Sequence, residues 1–195
     1  MKIYHHLNLS GLENSYIVAN EKNHEAILID PGQTSEGIIE QIENNSLKLT
    51  TVLITHNHKN HVAGLKTLMK IYSPFIYAVD WEIEGNETVV LNGEGKIRLA
   101  GMTVHYMAIP GHTADSMVYK IGNVLFTGDT IGAGLIGNTN SNNSFHILSQ
   151  NIVEKILSQQ ENTVIMPGHG PPTSVGAERL FNKDLGETIY NNPNF

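Results

Sequence analysis

The chain has 195 residues, of which 40% are hydrophobic, with a formal net charge of -7 and no cysteine. It can bury one core of good size, so a single domain over residues 1–195 is the expectation, while the acidic balance argues against a nucleic-acid partner, which needs a basic face. Without thiols there is no disulfide framework, and any metal must be held by histidine and carboxylate.

Three short β-type runs, 1–4, 16–19 and 26–29, predict an antiparallel meander, and the third stops at Asp30-Pro31-Gly32. Asp30 at that tip reads equally well as a carboxylate orienting a ligand histidine and as a turn-capping residue. Ile38, Ile39 and Ile42 fall at helical spacing, as do Leu65, Leu68, Met69 and Tyr72, and between them lies an apolar strand at 51–54. This strand–helix alternation is α/β layering. A strand is expected at 74–79, then a polar stretch at 80–87 in which Trp81, the lone tryptophan, reads as a packing residue.

From 96 to 126 the texture changes to consecutive β-runs, 96–99, 102–108, 116–120 and 124–126, which predict a second sheet of hairpins. Residues 131–144, rich in glycine and asparagine, read as a mobile surface loop beside the site. A helix at 147–157, a strand at 163–166 and a closing helix at about 174–182 with Ser174 as N-cap complete the pattern, followed by a partly ordered tail to Phe195. The N-terminus lacks the apolar core of a signal peptide, and no run approaches a membrane span. A soluble, cytoplasmic protein with no membrane partner is expected.

The chemistry concentrates where strands end. Directly after the 51–54 strand come His56, His58 and His61. In an extended segment residues two apart point the same way, so His56 and His58 can face one ion while His61, after a turn, reaches another position. Further junctions carry His112, Asp129 and His169, each just past a strand. His5, His6, His24, His105 and His146 match no such pattern and read as surface or packing residues.

With these four junctions in order, the chain resembles a metallo-β-lactamase-fold hydrolase of the glyoxalase II-like branch. The family's H-x-H-x-D-H loop is similar to His56, His58, Asn60 and His61, its G-H-T turn to Gly111-His112-Thr113, its F-T-G-D turn to residues 126–129 and its G-H-G turn to Gly168-His169-Gly170. The resemblance implies a four-layer αββα sandwich with every ligand at one edge of two sheets. It implies a first metal on His56, His58 and His112 and a second on His61 and His169, with Asp129 bridging both and acting in catalysis, and Asp30 and Thr113 supporting the ligands. The departure is Asn60, which stands where the family has a metal-binding aspartate. A neutral amide there weakens the second site and makes a mononuclear centre a serious alternative.

What the resemblance implies for function is a metal-dependent hydrolase, holding one or two zinc ions with iron or manganese as alternatives, that cleaves a thioester or ester bond of a small molecule. In the family, metals lower the pKa of a bound water toward about 7 and polarise the substrate oxygen. Two-domain glyoxalase II enzymes grip glutathione partly through basic residues on a C-terminal helical domain, and here the loop after Asp129 holds no lysine or arginine. A hydroxyacylglutathione hydrolase-like enzyme of unassigned substrate is the leading reading. A mononuclear iron persulfide dioxygenase-like enzyme, using His56, His112 and Asp129, and a non-catalytic or degenerate scaffold are the alternatives.

Overall fold

The computed structural model describes residues 1–186 and 188. Lys2–Leu7 (β1), Asn14–Ala19 (β2) and Glu25–Ile29 (β3) form the antiparallel meander. The chain then crosses through Glu36–Asn44 (α1) to Lys48–Leu53 (β4), and through Lys59–Val62 (α2) and Leu65–Ile71 (α3) to Phe75–Ala78 (β5). β3, β4 and β5 are parallel neighbours. Glu82–Ile83 (β6) and Asn86–Glu87 (β7) pair as a small hairpin, and Val89–Val90 (β8) closes the first six-stranded sheet.

The second sheet is built from Glu94–Leu99 (β9), Met102–Ala108 (β10), Met117–Ile121 (β11) and Val124–Gly128 (β12), all antiparallel in sequence. After the hairpin of Ile131–Gly132 (β13) and Leu135–Ile136 (β14) comes Asn142–Asn151 (α4), continued by a π-helical turn over Ile152–Ile156. Val164–Pro167 (β15) returns parallel to β12, Thr173–Ser174 (β16) pairs with it, and Val175–Phe181 (α5) follows.

Period-two patterning sorts side chains into three cores. Ile17, Leu28 and Val52 face Ile38, Ile42, Leu65 and Leu68 of the helices on the first sheet. Their neighbours Tyr16, Val18, Ile29 and Leu53 face the other way, onto Val104, Tyr119 and Phe126 of the second sheet. Val118, Leu125 and Ile165 then meet Leu148, Ile152, Ile156 and Val175 on the far side. The architecture is therefore the expected αββα sandwich, and β2, buried on both faces along its whole length, is apolar from Tyr16 to Ala19 where an edge strand would alternate.

The two sheets are clasped at one end by polar ties. Tyr119 Oη donates to the carbonyl of Ile54 at 2.8 Å, Tyr16 Oη to that of Pro167 at 2.7 Å, and the amide of Met117 to that of Thr55 at 2.8 Å. That end is where the histidine-bearing loops emerge.

Three expectations are corrected. Residues 131–144 are not one irregular loop: they hold the β13–β14 hairpin and the start of α4, which begins at Asn142 because Ser141 caps it by accepting the amide of Ser144 at 3.0 Å. The helix predicted from 147 thus starts a turn earlier. Trp81 does not pack; it is 69% exposed beside the β6–β7 hairpin, which gives the 80–87 stretch more order than its polarity suggests. Ser174 does cap α5, accepting from the amide of Ala177 at 3.2 Å. The tail expectation falls on 187 and 189–195, outside the described residues. Among the described residues no helix is long and apolar enough to cross a membrane.

Candidate metal centre

His56 and His58 follow β4, His61 sits on the single turn of α2, and His112, Asp129 and His169 follow β10, β12 and β15. The turn of α2 swings His61 away from its two predecessors. Two groups of donors result: His56, His58, His112 and Asp129 in one, and His61, Asp129 and His169 in the other, every ligand atom within 4.8 Å of the others in its group.

Ring orientation in the first group traces to Asp30. The backbone amide of Thr55 donates to Asp30 Oδ1 at 2.7 Å and the Thr55 hydroxyl to Oδ2 at 2.6 Å. That hydroxyl has spent its hydrogen, so its 3.1 Å contact with His56 Nδ1 has the ring as donor. His61 Nδ1 lies 2.9 Å from the same carboxylate and also donates to it. Both rings therefore turn an unprotonated Nε2 inward when neutral. The carbonyl of Asn138 does the same for His112, accepting from Nδ1 at 2.8 Å.

The consequence is that three ring nitrogens converge. His58 Nδ1 lies 3.0 Å from His56 Nε2 and 3.2 Å from His112 Nε2. Two nitrogens each about 2.05 Å from one tetrahedral zinc stand roughly 3.3 Å apart, so the spacing fits a shared cation; in the metal-free protein a proton on His58 Nδ1 makes the same contacts hydrogen bonds to the other two rings. Asp129 Oδ2 stands 3.8 Å from His56 Nε2 and His112 Nε2 and 3.5 Å from His61 Nε2, between the groups. His61 Nε2 is itself buried without a hydrogen-bond partner, a position that a metal would satisfy once the ring has lost its proton.

The second group is arranged differently. His169 Nδ1 donates to Asp129 Oδ1 at 2.7 Å, and Asn60 Nδ2 lies 3.1 Å from His169 Nε2. Both nitrogens of His169 are thus engaged by protein groups. Asn60 faces the second group, as the motif requires, but as a partner of the ring. Gly168 permits the close approach: a Cβ there would lie 2.5 Å from both Asp129 Oδ1 and His61 Cε1. Gly128, at φ +49°, likewise leaves room for Thr55 Oγ1, which a Cβ would meet at 2.3 Å.

Asp30 is found in the orienting position, while Thr113 is not. Its hydroxyl shares a hydrogen bond with Ser116 Oγ at 2.7 Å and closes its own turn without touching a ligand ring. Of the unmatched histidines, His5 stacks on Tyr16 with centroids 5.3 Å apart and contacts Asn14 at 2.6 Å, a packing role. Sequence reasoning missed Asp115, which accepts the amide of Asn57 at 2.7 Å and pins the loop between His56 and His58. It missed Asn14 too, whose Nδ2 donates to the carbonyls of Pro167 and Gly170 and holds the turn carrying His169. Only the polar start of an otherwise apolar strand signalled Asn14.

Electrostatics separate the rings. Burial pushes His56 down to about 3, with the neighbouring His61 adding to the effect, so it is neutral and ready to donate its lone pair. Burial and His112 also lower His58. For His61 burial opposes the charged form, yet Asp30 and Asp129 outweigh it and lift the group to about 10. Burial works against the ionised form of Asp129, but the hydrogen bond from His169 and the nearby His61 ring hold it well below the usual carboxylate range. Two carboxylates around one imidazole make this a place that favours positive charge, whether a proton or a metal ion.

Residues 10–169 match the Metallo-beta-lactamase superfamily. An uncharacterized protein of Treponema pallidum is 33% identical over 175 residues, covering 89% of this chain and 94% of its own. Hydroxyacylglutathione hydrolase of Buchnera aphidicola is 29% identical over 163 residues; the match takes in 83% of this chain and 64% of that enzyme. The crystal structure of the BLEG-1 B3 metallo-beta-lactamase superposes with a TM-score of 0.83 at 24% identity, over 94% of this chain and 99% of that one.

A pH profile follows from the two perturbed rings. Below 6.5 the unfolded chain protonates His56 while the folded metal-free protein does not, so stability falls as pH drops from 6.5 toward 3. Above 6.5 the folded state keeps a proton on His61 that the unfolded chain loses, so that contribution is complete below 6.5 and is lost as pH rises toward 10. Urea unfolding of metal-free protein is expected to show greatest stability near pH 6.5, declining on both sides. A profile flat between the two ring values would contradict the assignment.

Proposed function

The chain belongs to the metallo-beta-lactamase superfamily, and from that premise we propose that it is a metal-dependent hydrolase of thioester or ester bonds in a small-molecule substrate, acting as one domain. The observation that carries this reading is the convergence of the His56, His58 and His112 nitrogens beside Asp129, with His112 and Asp129 in the wall of a cavity of about 540 Å3. That volume suits a small ligand.

His56, His58, His112 and Asp129 would hold the first ion, and zinc fits this nitrogen-and-carboxylate set. When bound, such an ion supplies Lewis acidity and lowers the pKa of a coordinated water toward about 7. The chain's own contribution is placement. Asp129, anionic across the working pH range, sits between both groups and can accept a hydrogen bond from an attacking water and orient it. Leu135, Ile136 and Pro171 give the cavity an apolar wall, contributed largely by the β13–β14 hairpin, and no lysine or arginine lines it. This supports a neutral acyl substrate over an anionic glutathione conjugate. No serine-based nucleophile is needed.

A second reading, a mononuclear centre of the iron dioxygenase type on His56, His112 and Asp129, is favoured by one observation: Asn60 and Asp129 together occupy both nitrogens of His169. Metal analysis of protein purified without added metal separates the two. Zinc together with turnover of small neutral thioesters above that of S-lactoylglutathione supports the hydrolase; iron with oxygen uptake supports the alternative, and a metal-free protein the scaffold. His112→Ala is expected to remove the tightest metal, whereas His24→Ala, far along the chain on an exposed turn, leaves metal content unchanged.

The weak second site is testable at Asn60. Asn60→Asp replaces a neutral amide with a carboxylate, and should strengthen the second ion by at least about tenfold, or roughly 1.4 kcal/mol, with little change at the first. Turnover that rises with second-site occupancy marks a handicapped two-metal hydrolase. Turnover that falls marks a mononuclear enzyme, and unchanged stoichiometry in calorimetric titration contradicts the placement of residue 60.

A further inference from the structure

The outer face of the second sheet carries a different kind of site. In β9, Ile97 and Leu99 point into the core between the sheets, so Lys96 and Arg98 point outward; in β10 Val104 is inward and His105 outward; in β11 Tyr119 and Ile121 are inward and Lys120 outward. The register places Lys96 opposite His105, and His105 opposite Lys120. Three basic side chains therefore stand in one row across three strands.

The helical layer packs on this face through Val118, Leu125 and Ile165, over β11, β12 and β15, and leaves β9 and most of β10 uncovered. Beside the row is a cavity of about 550 Å3 lined by Lys96, His105, Met107, Lys120 and Gln159 among others. Its far rim is the end of the π-helical turn. Such turns are rare and recur at functional sites. This one brings Lys155 within 3.8 Å of Glu94, with its Nζ donating to the carbonyl of Ala108 at 3.3 Å, and is followed by Gln159, whose Oε1 accepts from Lys120 Nζ at 2.6 Å.

The register gives neither Lys96 nor Lys120 a carboxylate opposite it. This chain has 19 acidic residues against 12 lysines and arginines, so opposite charges were plentiful, yet Glu94 is the one carboxylate at the cavity among the described residues. Two lysines flanking a histidine across the sheet of an acidic protein, next to a ligand-sized cavity, suit an anion. We propose that this groove binds a small molecule carrying two linked phosphates. Strands about 4.8 Å apart set Lys96 and Lys120 roughly 10 Å apart at their roots with His105 between, a span that long ammonium stems close upon a diphosphate, whereas a lone carboxylate would pair with only one of the two ammonium groups.

The test is calorimetric titration of the metal-loaded protein with inorganic pyrophosphate and, separately, with ADP, at physiological ionic strength, with amide NMR shifts locating the ligand. Saturable binding with shifts at Lys96, His105 and Lys120 is expected, weakened about tenfold or more in Lys96→Ala and in Lys120→Ala, and retained in Lys96→Arg. Equal affinity for both probes assigns recognition to the phosphates alone; tighter ADP assigns a nucleotide. Absence of saturable binding, shifts confined to the histidine loops, or affinity unchanged in both alanine variants would overturn the proposal.

Discussion

Asp30 is one buried carboxylate, 2% exposed, that receives hydrogen bonds from the Thr55 amide, the Thr55 hydroxyl and His61 Nδ1. Burying a charge is costly unless it is paired and hydrogen-bonded, and here three donors from the histidine loop meet that demand. The loop's conformation and the carboxylate's burial are thus mutually required. Asp30 also holds a left-handed backbone, φ +49°, at the end of β3, a conformation aspartate tolerates better than most residues. Through Thr55 it sets the donor side of His56, and directly that of His61, so a single residue outside the ligand set turns one imidazole toward each group.

Against this fixed side stands a more adaptable one. Asp129 reaches both groups, and His169, less buried than His61, is held between Asp129 and Asn60. The first group has three convergent nitrogens that could hold a cation. The second has one orphaned nitrogen, on His61, and a ring already engaged at both ends. The asymmetry lies in side-chain chemistry, since the glycines at 128 and 168 preserve the tight backbone approach on both sides.

Much of this was legible in the sequence because the relevant signals are local. Strand ends marked by glycine and proline, three histidines within six residues and period-two alternation all act over a few positions, and the six ligand candidates come together where those signals put them. Asp30 was recognised as a candidate, though its two roles could not be separated until its distance to His61 was known. What escaped depended on contacts far apart in sequence. Asp115 bonds Asn57 across 58 positions, and Asn14 reaches Pro167 across 153. The β13–β14 hairpin was hidden by glycines and asparagines that read as a mobile surface loop, though they are turn residues. Trp81 was read as a packing residue, but it lies between Asp80 and the surface hairpin that starts at Glu82, and Asn57 Nδ2 donates to Asp80 Oδ2 at 2.9 Å, tying the segment before that hairpin to the histidine loop.

The central claim is that His56, His58 and His112 are built to share one ion. X-ray absorption at the edge of whatever metal the protein retains tests this most directly. The account predicts a first shell of nitrogen and oxygen at about 2.0–2.1 Å for zinc, with the outer-shell scattering of three imidazoles. A shell of oxygen alone, or scattering from fewer than two imidazoles, would contradict it.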